Sequence, residues 1–90
     1  MQQALSTFGS GILTPREQEI SALILQGHSS KAIANQLNIS LGTVKVHRKN
    51  IHTRLNTSTQ SEIFTLFLLH LSELETAAAN VGQPQEQPAP

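Results

Sequence analysis

SLGTVKVHRKNIHTRL, residues Ser40 to Leu55, has the pattern of one amphipathic helix with a basic outer side. At about 100° per residue, Val44, Ile51 and Leu55 fall on one side and form its buried stripe. The opposite side collects Gly42, Lys45, Val46, Lys49, Asn50 and Thr53. His47 and Arg54 flank the stripe on one edge, Arg48 and His52 on the other. Ser40 is placed to cap the helix, whose body is expected over 41–55. The stretch also lies inside a long acid-free zone. No Asp or Glu occurs between Glu19 and Glu62, while five of the six Lys and Arg residues do: Lys31, Lys45, Arg48, Lys49 and Arg54. Such a helix suits a polyanion, and a DNA groove is the leading candidate. Val46 is an apolar residue in the middle of that outward basic side, where contact with a thymine methyl in a major groove explains it better than a core does.

Working outward, the chain predicts an all-α fold. Thr14-Pro15-Arg16-Glu17 has capping-box spacing with Pro at the first helical position. Ile20, Leu23, Ile24 and Leu25 then give a buried face, and Gly27 a left-handed stop. Ser29 or Ser30 caps a second helix to about Leu37, with Ile33, Ala34 and Leu37 inward. Asn38-Ile39-Ser40 leaves room only for a tight turn, so the second helix feeds directly into the basic one: a helix-turn-helix. Asn56 ends the basic helix, and Ser58 or Thr59 caps a fourth from about Gln60 through Leu74. That fourth helix carries more than one apolar stripe, so part of it is expected to be exposed in a monomer. Phe64, Phe67, Leu68 and Leu71 are the residues expected to form a dimer or domain interface. Residues 1–12, polar and ending Gly-Ser-Gly-Ile, read as a flexible linker; 13–76 as the helix-turn-helix domain; 77–90, with three Pro after Val81, as a disordered tail.

The 90 residues have zero formal net charge, which by itself argues weakly against nucleic acid. The distribution overrides the sum, because every acid lies outside the middle. There is no Cys, so no disulfide or thiolate metal site. No leader and no apolar run of membrane-spanning length is visible, so the expected location is the cytoplasm, without membrane. Metal and catalysis have little support. His47 and His52 are five apart, the wrong spacing for one helical face. Ser29, Ser30 and Ser40 are caps with no plausible His and acid beside them. No cofactor is expected, and the chain is not read as an enzyme.

The pieces Leu13-Thr14-Pro15-Arg16-Glu17, Gly27-x-Ser29-x-Lys31-x-Ile33-Ala34, Ile39-Ser40-x-Gly42-Thr43-Val44-Lys45-x-His47, Ile51 and Leu55 together resemble the LuxR/FixJ/GerE-type DNA-binding domain of bacterial transcriptional regulators. The resemblance runs over Leu13–Leu66, without a gap. It implies a four-helix domain whose third helix enters the major groove and whose fourth mediates dimerisation. It places base reading on Lys45, Val46 and Lys49, and the phosphate backbone near Ser30, Lys31, Thr43 and His47. Arg48, Asn50, Thr53 and Arg54 are the further flanking candidates read from the helical phase; His47 can equally brace the helix. The chain departs from the usual pattern at Leu41, where Pro is common, at Ala32, where Glu is frequent, and at Gln60, where Arg often stands. The implied partners are double-stranded DNA with a two-fold operator, a second copy through the fourth helix, and an N-terminal receiver or ligand-binding domain in a full-length regulator. A stand-alone regulator is the other arrangement. The reading from another class is a helical protein-interaction module that docks through the fourth helix and touches no DNA. Within the DNA class, the C-terminal helix-turn-helix of sigma factors resembles Thr14–Lys45 but lacks a comparable fourth helix.

Overall fold

The computed structural model describes residues 2–82, with side chains described from Gln3 to Thr76. It is all-helical: α1 Gln2–Thr7, α2 Pro15–Leu25, α3 Ser30–Leu37, α4 Leu41–Leu55 and α5 Gln60–Gly82. The all-α helix-turn-helix reading holds, with one helix more than the four expected. α4 is the basic helix and α5 the apolar one.

Local chemistry sets the boundaries. At α2 the Thr14 hydroxyl accepts from the Glu17 N–H, and the Glu17 carboxylate accepts from the Thr14 N–H at 3.0 Å. This is the reciprocal box that the Thr-Pro-Arg-Glu spacing predicts. Gly27 follows the helix end at φ +92°, a conformation that costs a residue with a Cβ. Ser29 caps α3 through the Ala32 N–H, and Ser40 caps α4 through the Thr43 N–H. Both α3 and α4 end on an asparagine, Asn38 and Asn56, at φ 57°. Asn tolerates this left-handed position better than other L side chains. Thr59 and Glu62 form a second reciprocal box at the start of α5.

One core joins all five helices. Ile20 and Ile24 of α2, Ile33 of α3, Val44 and Ile51 of α4 and Ile63 of α5 are at most 1% exposed. Each such side chain is worth about 1.5–3 kcal/mol of transfer free energy. α2 and α3 both pack on α4, which fixes α4 in the centre with its outer side free. Ile39 is half-buried at the α3–α4 corner, and its N–H is taken up by the Ala34 carbonyl.

The N-terminal expectation is corrected. Part of 1–12 is not a flexible linker: Gln2–Thr7 is helical, and Ala4 and Phe8 are buried. The reason is packing. Phe8 stands edge-on to Phe67 of α5 with ring centroids 5.7 Å apart, and also edges His70. The Thr7 Oγ1 lies 2.8 Å from the Gln3 carbonyl and 2.8 Å from His70 Nε2, tying α1 to α5. Gly9 and Gly11, both at positive φ, reverse the chain between α1 and Leu13. A Cβ on Gly9 would come 2.5 Å from Leu13 Cδ1, so this glycine serves a tight reversal rather than looseness. At the other end, α5 continues to Gly82, past residue 77 where the tail was expected to begin; residues 83–90 of that tail lie outside the described residues.

The same contact corrects one interface residue. Phe67 is 6% exposed and belongs to the core, because Phe8 covers it. Leu71 is half-buried against that core. Phe64 and Leu68 remain outward, at 37% and 63% exposure. No helix among the described residues is long and apolar enough to cross a membrane.

Candidate nucleic-acid interface

α4 is built as its phase predicts. Val44 and Ile51 are fully buried and Leu55 is half-buried. Lys45, Val46, Lys49 and Thr53 are exposed on the opposite side. Val46 is 58% exposed, so nothing within the domain uses its methyl groups. Gly42 and Thr43 are exposed in the first turn; His47, Arg48 and Asn50 are half-buried at the margins. On α3, Lys31 is exposed and Ser30 half-buried. Thus Lys45, Val46 and Lys49 are brought together on one accessible face, with Lys31 and Ser30 on the helix before it.

The arginines and lysines behave differently. Arg16 pairs with Glu19, Arg54 Nε lies 2.8 Å from Glu17 Oε1, and Arg48 Nη2 donates to Gln60 Oε1 at 2.8 Å. Among the described residues the two ion pairs both use arginine, so Lys31, Lys45 and Lys49 meet no carboxylate. Among the described residues these three lysines therefore carry charge that no acid offsets. Arg54, expected near phosphate, pairs with Glu17 and is itself 47% exposed. Glu17 is 3% exposed and holds its charge despite that burial. The Thr14 N–H first, and Arg54 with it, keep its carboxyl below the usual carboxylate range, while burial pushes the other way.

The helix N-termini divide in the same sense. α2 and α5 each carry a glutamate in the first turn, Glu17 and Glu62; α3 and α4 carry none. The Ser58 and Thr59 N–H groups hold the Glu62 carboxyl low, so the start of α5 is already filled by an anion. The starts of α3 and α4 are closed by serine hydroxyls, leaving the positive ends of their dipoles without an acid in the first turn.

Several hydroxyls and rings expected at the flank have internal duties. Thr43 Oγ1 is 2.8 Å from Ser40 Oγ, and Thr53 Oγ1 donates to the Lys49 carbonyl. His52 Nδ1 pairs with Thr57 Oγ1. His47 Nδ1 is buried without a hydrogen-bond partner, consistent with a ring that braces α4 through its body. Sequence reasoning left Leu41 outside the site; it is 40% exposed in the first turn, in line with Lys45 and Lys49 at intervals of four. It also missed Gln60 as the partner of Arg48, a pairing that no local spacing reveals.

A depression of about 450 Å³ lies between the α1–α2 reversal and α5, lined mainly by Phe8, Ile12, Leu66, Leu69 and Leu74. It is open and apolar, with His70 and Glu73 at its side, and His70 Nε2 is already engaged by Thr7. Among the described residues, no group of three or more His, Asp or Glu is placed to hold a metal ion.

The family described as bacterial regulatory proteins, luxR family, matches residues 11–67. A protein of Aeromonas salmonicida, named as an HTH-type transcriptional regulator in the exeN 3′ region, is 44% identical over 71 residues; these are 79% of this chain and 36% of that protein. The transcriptional regulatory protein MctR of Rhizobium johnstonii is 42% identical over 62 residues, 69% of this chain and 29% of its own length. The nitrate/nitrite response regulator NarP of Escherichia coli is 44% identical over 57 residues, 63% of this chain and 26% of NarP. The chain thus spans about a third or less of the length of these relatives. No solved structure matches it.

Proposed function

The chain belongs to the luxR family of bacterial regulatory proteins, a family of DNA-binding transcriptional regulators and not of enzymes, and on that premise we propose that α4 reads operator sequence in the major groove. Lys45 and Lys49 present ammonium groups to base-edge acceptors, and Val46 meets a thymine methyl. Lys31 and Ser30 on α3, with Thr43, His47, Arg48, Asn50 and Thr53 around the reading face, set the domain on the phosphate backbone. The observation that carries this reading is the exposed Lys45–Val46–Lys49 face directly opposite the buried Val44–Ile51 stripe, in a zone without a single acid.

Two copies are proposed to bind a two-fold operator, placing two α4 helices about one helical turn of DNA apart. The seam is Phe64, Leu68 and Leu71 of α5, spaced i, i+4, i+7 along one side. The length of the relatives supports a further signal-receiving domain in the full regulator, and a chromosomal DNA target suits a cytoplasmic protein. A protein-docking module without DNA is not favoured, because it leaves three unpaired lysines and an outward Val46 without a use.

A selection from a random-sequence duplex pool, followed by a salt titration of the recovered duplex, tests the reading. The expected result is an enriched motif and a log–log affinity slope of about −0.9 per phosphate neutralised. No enrichment and no binding at low salt would overturn it.

A further inference from the structure

We propose that Glu17 is a positioning residue for sequence recognition: through Arg54 it fixes how far α4 is rolled about its own axis, and so where Lys45, Val46 and Lys49 point. The inference rests on the DNA reading above and adds to it a residue that lies beneath the surface and touches no DNA.

The fully buried apolar stripe of α4 is narrow. Only Val44 and Ile51 are fully buried along its 15 residues, with Leu55 half-buried. Hydrophobic burial is non-directional, so a narrow stripe tolerates small rotations. The reading side chains do not. A helix with side chains is about 10–12 Å across, so a roll of about 20° carries an outer tip about 2 Å. Hydrogen bonds to base edges hold over a range of only about 0.5 Å. A directional contact at the margin of the stripe is needed, and Arg54 supplies one at the edge it shares with His47.

Its anchor is prepared before Arg54 arrives. Glu17 Oε1 accepts the Thr14 N–H at 3.0 Å within the α2 capping box, and Arg54 Nε meets the same oxygen at 2.8 Å. The carboxylate is thereby held by α2 itself and is 3% exposed. A buried carboxylate with one fixed place offers the guanidinium one productive position. Arg48 holds the other margin to Gln60, but that contact carries a single charge and Gln60 is exposed. Arg54 is itself 47% exposed; its partner Glu17 is the buried, fixed member of the pair, and that anchor is the one that sets the angle.

The test uses the full chain, a duplex selected by the wild-type protein and a scrambled duplex of equal length. Glu17→Gln keeps an oxygen for the Thr14 N–H and removes the charge that holds Arg54. Measured where the variant is fully folded, it is expected to weaken the selected duplex on the order of tenfold while leaving the scrambled one nearly unchanged, because misaligned base contacts are lost and phosphate contacts are kept. The salt slope stays at the wild-type value. Arg54→Lys, which keeps a cation opposite Glu17 without the planar fork, falls between the two. Equal weakening of both duplexes makes Glu17 a matter of stability alone and overturns the inference. So does a silent Glu17→Gln beside an Arg54→Gln whose salt slope falls by about one, since Arg54 is then itself a phosphate ligand. Should Glu17→Gln fail to fold, the ratio for Arg54→Lys decides, and an unchanged ratio overturns the inference. A wild-type chain that selects no sequence fails earlier, at the DNA reading.

Discussion

α4 and α5 are both helices with more surface chemistry than the core of this small domain consumes, and the surplus differs in kind. On α4 it is cationic, with Lys45 and Lys49 unpaired around an outward Val46. On α5 it is apolar, with Phe64, Leu68 and Leu69 between 37% and 63% exposed. Their inner faces look alike, each burying isoleucine against the same core. The inner face thus says where a helix packs, and the outer face says what chemistry it presents to solvent. Their N-termini agree with that division: Glu62 already fills the start of α5, while α4 begins on Ser40 with no acid in its first turn.

The comparison breaks most severely at the shared core. Ile51→Ala is expected to cost about 2–5 kcal/mol and to unfold both faces together in one thermal transition. A variant that lost only DNA binding would show that α4 does not depend on this stripe. Next in size is Lys49→Ala, which should cost on the order of 1–3 kcal/mol in affinity for a selected duplex while the melting temperature stays put. Unchanged affinity would remove Lys49 from the reading face. Smaller is Gly42→Ala. The Cβ would meet only Ser40 Oγ at 3.9 Å, so replacing a helical glycine should raise stability by about 0.5–1 kcal/mol in a denaturant titration; a loss would reveal strain that the geometry does not show.

The smallest effect separates the N-termini. Glu62, like Glu17, has its carboxyl held below the usual value in the folded chain. A depressed folded value means the contribution is full above the unfolded value, about 4.3, and fades as pH falls through the folded one. Glu62→Gln should therefore flatten the acid limb of stability below pH 4.3 and leave Lys45 and Lys49 binding duplex as before. An acid limb of wild-type steepness would contradict the capping role.

Much of this was legible locally. The caps at Thr14, Ser29 and Ser40 and the asparagine ends at Asn38 and Asn56 depend on neighbours within a few residues, and the phase of α4 depends on itself. The outward face of Lys45, Val46 and Lys49 followed from that phase. α1 was not legible, because six residues are too few for a periodic signal and Gly9-Ser10-Gly11 looks the same in a linker as in a tight reversal. Phe67 was misjudged for the same cause: its cover, Phe8, lay in the stretch read as a linker. The Arg54–Glu17 pair joins residues distant in sequence, so spacing had nothing to say about it. Charge alone suggested phosphate for Arg54, and only packing shows which anion it meets first.

The most direct test is an amide chemical-shift titration of the folded chain with a selected duplex at moderate salt. The largest changes are expected on Leu41, Lys45, Val46 and Lys49 and on Ser30 and Lys31, with Leu69 unmoved. The largest changes on the apolar side of α5, with α4 silent, would contradict it.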